Sequence, residues 1–92
     1  MNEHQEVERG KHAEAVLDNI AFKSAFEQIE KDIINQWKQA KEPLDREKLH
    51  LSLQMLQRLE SVLKTAIANG QVSKQILERQ SLMAQIIDKI KR

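Results

Sequence analysis

The sequence is poor in the residues that build covalent cross-links and membrane spans. It has no cysteine, so disulfides and thiolate–metal sites are excluded, and a reducing cytoplasm is the compartment we expect. No apolar run exceeds three residues, far below the roughly 20 that a transmembrane helix needs, so we predict no membrane partner. The opening residues MNEHQEVERG have no apolar segment, so we expect no secretory signal there.

Glycine is also scarce, and the serines are poorly placed for catalysis. Gly10 and Gly70 stand alone, which excludes a glycine-rich phosphate loop. The serines fall within or at the ends of predicted helices, where no strand–turn elbow presents a nucleophile. These serines are Ser24, Ser52, Ser61, Ser73 and Ser81. We therefore predict that the protein is not an enzyme and holds no cofactor.

Charge is abundant and nearly balanced, but the two signs are unevenly distributed. The chain has 15 basic and 14 acidic residues; residues 1–44 carry a net charge of −3 and residues 45–92 a net charge of +4. This polarity is compatible with head-to-tail self-association or with an anionic partner, and also with chance variation along a helical surface. A chain of 92 residues buries only about 60–65% of its unfolded surface, so a monomer would be marginally stable.

Apolar spacing predicts two long helices joined by a short break. A stripe of helical period runs from Phe22 to Ala40 and predicts a helix over residues 20–41. Pro43 interrupts it, and Asp45 is a good N-cap for a second helix over residues 45–69. That helix shows apolar residues over some 200° of its circumference, more than one antiparallel neighbour covers. Gly70 suits the left-handed position that ends a helix, and a tail helix is predicted over residues 72–91.

The segment before Phe22 predicts a separate short helix. Asp18 and Asn19 interrupt the apolar stripe and prefer capping positions, so one of them is expected to cap the following helix. We therefore predict a short helix over residues 10–17 and a flexible N-terminus over residues 1–9.

The predicted fold class is all-α. It is an antiparallel helical hairpin with a short N-terminal helix and a C-terminal amphipathic helix, forming one helical domain over residues 1–92. The tail helix either packs on its own hairpin in a three-helix bundle or pairs between chains in an oligomeric bundle. The residues predicted for a protein interface are Trp37, Leu51, Met55, Val62, Met83, Ile86, Ile87 and Ile90.

Two patterns of histidine and glutamate are candidate metal sites. Glu47 and His50 have the Glu-x-x-His spacing of di-iron bundles, but the facing part of the first long helix offers no carboxylate. His4, Glu8 and His12 follow i, i+4, i+8 spacing and are better explained as ordinary surface residues. We predict no metal site.

Binding to nucleic acid is an alternative that the basic C-terminal half keeps open. Arg58 and Lys64 lie some 120° apart on a helix, and no helix-turn-helix spacing or aromatic–basic pattern is present. The candidate residues are Arg58, Lys64, Lys74, Arg79, Lys89, Lys91 and Arg92.

Residues 9–72 resemble a group of small helical proteins encoded in tailed-phage genomes. The shared features begin with Arg9-Gly10, Val16-Leu17 and Asp18-Asn19 and continue through Phe22, Phe26, Trp37, Arg46-Glu47-Lys48-Leu49 and Gly70. Members often carry an aromatic residue after the Arg-Glu-x-Leu segment, where this chain has His50-Leu51. The resemblance implies genes near those for heads and packaging, and it carries over no catalytic residue.

Together these features predict a non-enzymatic phage helical protein that acts by self-association and protein contact, such as a virion-structural or assembly component. A nucleic-acid-binding packaging or regulatory accessory is one alternative, and a small inhibitor of a host enzyme or defence system is another. The expected partner is a second copy of the chain, with a phage structural protein or a host protein as further candidates. The expected location is the host cytoplasm, with incorporation into the virion as an alternative.

Overall fold

The computed structural model describes residues 2–91, and every regular element within them is a helix. Helix α1 spans Glu3–Asp18, α2 spans Ile20–Gln39 and α3 spans Pro43–Lys91. The predicted all-α class is therefore confirmed. The longest of these helices, α3, has 49 residues, 13 more than α1 and α2 together, so it extends beyond both of them.

Helices α1 and α2 follow one another along α3 and run in the opposite direction to it. The end of α2 meets the start of α3, where the Arg46 guanidinium lies over the Trp37 ring. The start of α2 lies near the middle of α3, where Phe22 and Lys64 line the same groove. Further along, Glu6 of α1 contacts Ser73. The chain thus folds back on itself once, and the returning helix is unbroken.

The helix starts are explained by local chemistry. Asn2 caps α1, accepting a hydrogen bond from the Gln5 backbone N–H at 2.9 Å in a capping box. Asn19 caps α2, accepting from the Phe22 backbone N–H at 2.9 Å. The expected cap at Asp18-Asn19 is therefore confirmed, and Asn19 provides it. Helix α3 begins at Pro43, whose fixed φ and missing N–H suit the first helical position.

Three predicted boundaries are wrong. Residues 3–9 belong to α1 and are not a flexible N-terminus, because the Asn2 capping box starts the helix well before residue 10. Helix α2 ends at Gln39, slightly before the predicted residue 41. Asp45 is not the N-cap of α3, because the helix already begins at Pro43 and leaves Asp45 in its first turn.

Gly70 does not end a helix, so the predicted division into residues 45–69 and 72–91 is also wrong. No residue within 2–91 has positive φ, and Gly70 and Ser73 both lie inside α3. Gly70 permits a close approach between helices instead. A Cβ there would lie 3.0 Å from both the Glu6 carbonyl oxygen and the Gly10 Cα. Such contacts are tighter than side chains normally tolerate, so α1 can reach this point only because glycine stands there.

The tightest packing in the molecule is this crossing of α1 and α3. Gly10 approaches Gly70 so closely that a Cβ on Gly10 would meet the Gly70 Cα at 3.1 Å. Ala13 and Ser73 are 4% and 2% exposed, respectively. Among residues 2–91, only these four are classed as buried. The best-protected part of the fold is therefore built from small residues, which let the two backbones touch.

Packing of α2 on α3 is looser. The α3 residues that face α1 and α2 recur at steps of three and four residues, as in a coiled-coil seam. We call them the inner stripe: Leu49, Leu53, Leu56, Glu60, Leu63, Ile67, Gly70, Ser73 and Leu77. Phe22, Phe26 and Ile33 of α2 are likewise half-buried, whereas Ile29 and Trp37 of the same apolar stripe are exposed.

The molecule is strongly elongated. It measures 76 × 25 × 15 Å and has a Cα radius of gyration of 20.9 Å. A compact domain of this length would have a radius of gyration of about 12 Å. The accessible surface is 7617 Å², whereas a compact monomer of this mass exposes about 5,500 Å². Each chain therefore exposes about 2,000 Å² more than a compact fold would.

Candidate interaction surface

A second stripe of α3 faces away from the inner stripe. Its positions also alternate by four and three residues, and the two stripes are about 150° apart around a helix with a seven-residue repeat. Every position in it is exposed. We call it the outer stripe: Leu44, Lys48, Leu51, Met55, Arg58, Val62, Thr65, Asn69, Val72, Ile76, Arg79, Met83, Ile86 and Ile90. Most of these side chains are apolar, and none of them is acidic.

The residues predicted for an interface are all exposed, and most belong to the outer stripe. Leu51, Met55, Val62, Met83, Ile86 and Ile90 are members of it, and Ile87 lies beside it on the tail. Met55 and Ile90 are the most exposed, at 73% and 77%. Isolated apolar residues on a surface are ordinary, but a stripe along a whole helix is the kind of surface that soluble monomers avoid.

Within residues 2–91, the tail of α3 after Leu77 has no buried or half-buried position. Every residue over 78–91 is exposed, and Leu77 is the last half-buried position. Ser81 and Ala84 continue the spacing of the inner stripe into the tail, so that face offers little apolar surface for α1 to cover. The apolar residues of the tail lie on the outer side instead, where Met83, Ile86 and Ile90 extend the outer stripe.

Trp37 sits at the end of α2 and is held by Arg46 rather than buried in a core. The guanidinium carbon of Arg46 is 4.0 Å from the ring centroid, a cation–π contact. The same group donates hydrogen bonds to the carbonyl oxygens of Trp37 at 3.2 Å and Ala40 at 3.0 Å. Trp37 stays 41% exposed and forms one wall of an apolar groove of about 260 Å³ with Leu49 and Leu53.

A more polar groove lies where α1 crosses the middle of α3. Arg9 of α1 and Arg58 of α3 line its two sides, and Val62, Thr65 and Asn69 of the outer stripe also border it. Its volume is about 310 Å³. Because α1 borders the outer stripe here without covering it, the centre of the stripe stays open to a partner.

Glu6 and Ser73 form the polar contact that accompanies the close crossing. The Ser73 hydroxyl donates to a Glu6 carboxylate oxygen at 2.6 Å. Ser73 is nearly inaccessible, so this bond satisfies a polar group that would otherwise be buried without a partner. The sequence analysis placed Ser73 near the start of a separate tail helix over residues 72–91. The structure corrects this. Ser73 lies within α3, and the close approach of α1 at Gly70 brings the Glu6 carboxylate within reach of its hydroxyl.

The basic residues considered for nucleic acid do not form a single patch. Arg58, Lys64, Lys74, Arg79, Lys89 and Lys91 are exposed on α3, and Arg92 lies outside the described residues. Lys64 pairs with Glu60 at 2.9 Å on the side of the inner stripe. At 100° per residue these side chains point in different directions around α3.

The two histidine patterns place few potential metal-ligating side chains close to one another. The His12 and Glu8 side chains approach to 3.6 Å on an exposed face of α1. Within residues 2–91 there is no group of three or more histidine, cysteine or acidic side chains placed to hold a metal ion. Over the same residues, no helix is long and apolar enough to cross a membrane.

Sequence reasoning missed the α1–α3 crossing. A signal was present, since Glu6, Gly10, Ala13 and Leu17 follow steps of four and three residues along α1. The matching small residues of α3 are Ala66, Gly70 and Ser73. Each helix has a glycine at the point where the two helices cross, and this permits close backbone contact, as in other helix pairs that pack through small residues.

None of the family models, curated proteins or solved structures compared with this chain matches it.

Proposed function

We propose that this chain is a non-enzymatic helical protein that works by self-association and protein contact. The observation that carries the proposal is the outer stripe, an exposed coiled-coil seam that runs the length of α3 from Leu44 to Ile90. Burying such a stripe releases water from apolar surface, and each fully covered Leu, Ile or Met contributes about 1.5–3 kcal/mol.

The surface area supports the same proposal. The excess of about 2,000 Å² per chain is comparable with what one partner buries in a large, obligate interface, whereas standard interfaces bury about 800 Å² per partner. The chain has no disulfide to compensate for its loose α2–α3 packing. Shared burial between chains is thus the main remaining source of stability.

Light scattering at micromolar concentration tests the proposal. We expect a mass of at least twice the 10.7 kDa of one chain. Replacing Ile86 and Ile90 by glutamate puts charge into the tail part of the outer stripe and should lower the mass toward that of a monomer. Gln71→Glu with Gln85→Glu adds the same charge off the stripe and should leave the mass unchanged. A single 10.7 kDa species for the unmodified chain would contradict the proposal.

The resemblance to tailed-phage proteins adds a narrower hypothesis. In that setting the self-associating chain would be a virion-structural or assembly component, and its three-helix or oligomeric bundle would form around α3. If the chain comes from a phage genome, antibody labelling of purified phage particles would test whether the chain is incorporated into them.

Nucleic-acid binding has weaker support because the basic residues point in several directions around α3. In the polar groove at the α1–α3 crossing, Arg9 of α1 and Arg58 of α3 line a shared space together with Glu6. If a nucleic acid bound there, its affinity would fall steeply with salt and with Arg9→Gln and Arg58→Gln.

A further inference from the structure

The structure shows only one helix long enough to cover the outer stripe, and that helix is α3 itself. The stripe spans residues 44–90, about 70 Å at 1.5 Å per residue. A two-fold axis lets the same surface serve both chains. We infer that two copies of the chain pair through their outer stripes as an antiparallel α3–α3 dimer, with the tail of each copy covering residues 44–55 of the other. This inference rests on the proposed function and names the partner and its orientation.

The charges on the outer stripe decide between the two orientations. In a parallel dimer in register, each of Lys48, Arg58 and Arg79 would face its own copy, which places like charges opposite each other in three layers. In the antiparallel dimer centred on residue 67, Lys48 faces Ile86 of the partner subunit. Each long basic side chain then lays its alkyl stem on an apolar neighbour while its charged head reaches water.

The same register matches the remaining layers. Leu51 faces Met83 of the partner subunit, Leu44 faces Ile90 of the partner subunit, and Val62 faces Val72 of the partner subunit. At the centre Thr65 faces Asn69 of the partner subunit, so two neutral polar groups can hydrogen-bond to each other. Shifting one copy by seven residues in one direction would place Lys48 opposite Arg79 of the partner subunit. Shifting it in the other direction would leave Leu44 with no facing residue.

Opposite charges lie at the two ends of α3. Asp45 and Glu47 lie near the start of the helix, where Arg46 and Lys48 balance them, and Lys89 and Lys91 follow Asp88 near its end. An antiparallel pair brings the two carboxylates of the start close to the two lysines of the partner subunit's tail. It also sets the positive end of one helix dipole beside the negative end of the other. The exposed tail, residues 78–91, is thereby covered.

Cysteine cross-linking tests the orientation, because the natural chain has no cysteine to interfere. Proteins carrying Leu51→Cys and Met83→Cys are mixed at micromolar concentration, one of them with a mass tag, and mildly oxidised. Thiols held across an interface meet at an effective concentration far above that of the bulk. We therefore expect the mixed Leu51→Cys to Met83→Cys disulfide to exceed either self-linked product by at least about tenfold. Gln57→Cys, off the stripe, should link to neither protein.

The outcomes separate this inference from the proposed function. Dominant self-linking of Leu51→Cys would indicate a parallel pair and overturn the inference while self-association stands. An oligomer by light scattering in which neither cysteine cross-links would place the interface elsewhere and also overturn the inference. A monomer by light scattering would overturn both. Both cysteines replace exposed side chains, and circular dichroism of each variant checks that its helix content is unchanged.

Discussion

At the residue scale, single side chains decide where helices begin and how closely they approach. Asn19 is the clearest case, because α1 and α2 run nearly end to end and only this residue leaves helical geometry, with ψ at 124°. Its side chain accepts from the Phe22 N–H, and its own N–H donates to the Val16 carbonyl oxygen. One asparagine thus ends one helix and starts the next.

Replacing Asn19 by alanine should destabilise the fold by about 1 kcal/mol, because the Phe22 N–H loses its acceptor. This loss outweighs the modest gain in helix propensity that alanine brings. Asp18→Ala is the matched control, since Asp18 is the last residue of α1 and does not cap α2. Urea unfolding followed by circular dichroism measures both. A more stable Asn19→Ala protein would show that α1 and α2 gain by joining into one helix.

At the scale of elements, α1 and α2 contact α3 in different ways. The α1–α3 crossing brings the two backbones together at Gly10 and Gly70, and Ala13 and Ser73 are buried beside it. The α2–α3 contact uses larger side chains that stay half-buried, because no second layer covers them. Small residues thus keep solvent out of the α1–α3 contact, whereas the larger side chains of the α2–α3 contact stay partly exposed to solvent.

Gly70→Leu should separate α1 from α3 and destabilise the chain by about 1–3 kcal/mol, the usual cost of overpacking. Even a Cβ at Gly70 would lie 3.0 Å from backbone atoms of α1, which cannot rotate away as a side chain can. Ala68→Leu is the control, since Ala68 is exposed on the same helix. Hydrogen exchange should show lost protection in α1 for Gly70→Leu alone. Unchanged protection of α1 would mean that the crossing is not what holds that helix.

The N-terminal part of the fold was the hardest to derive from the sequence, and the reason is physical. Gly70 followed Asn69 in a pattern that favours a helix end, and Gly10 stood between the charged residues Arg9 and Lys11. Two glycines pack closely only when their helices cross at both glycine positions. A single-sequence pattern does not contain that information.

At the scale of the whole molecule, the elongated shape follows from the length of α3. The helices α1 and α2 together match α3 only as far as Leu77, and the tail extends beyond them. The resulting surface of 7617 Å² is too large for a compact monomer of this mass. Under the proposed self-association, stability depends on association, since a second copy would bury the tail and the outer stripe.

Thermal stability should accordingly depend on protein concentration. Binding between copies stabilises the folded state by mass action, and a hundredfold change in concentration is worth about 2.7 kcal/mol. About 1 kcal/mol per chain shifts Tm by about 4–8 °C in a domain of this size, and the 2.7 kcal/mol is shared by the two chains of a dimer. A hundredfold dilution should therefore lower Tm by about 5–11 °C. Circular dichroism melts across that range measure this effect. The Ile86→Glu, Ile90→Glu protein should show a Tm that does not vary, and a constant Tm for the unmodified chain would contradict the linkage.

The sequence by itself determined the helical class, a helix break with a cap at Asp18 or Asn19, a second break near Pro43 and the wide apolar surface of α3. All of these follow from local chemistry and from periodicity along one helix, which a single chain records directly. Only the tertiary structure decided that α3 continues through Gly70, that Gly10 and Gly70 touch, and that the tail lies beyond both partner helices. These features depend on where separate helices meet in space, and the relative lengths of the helices fix that meeting point.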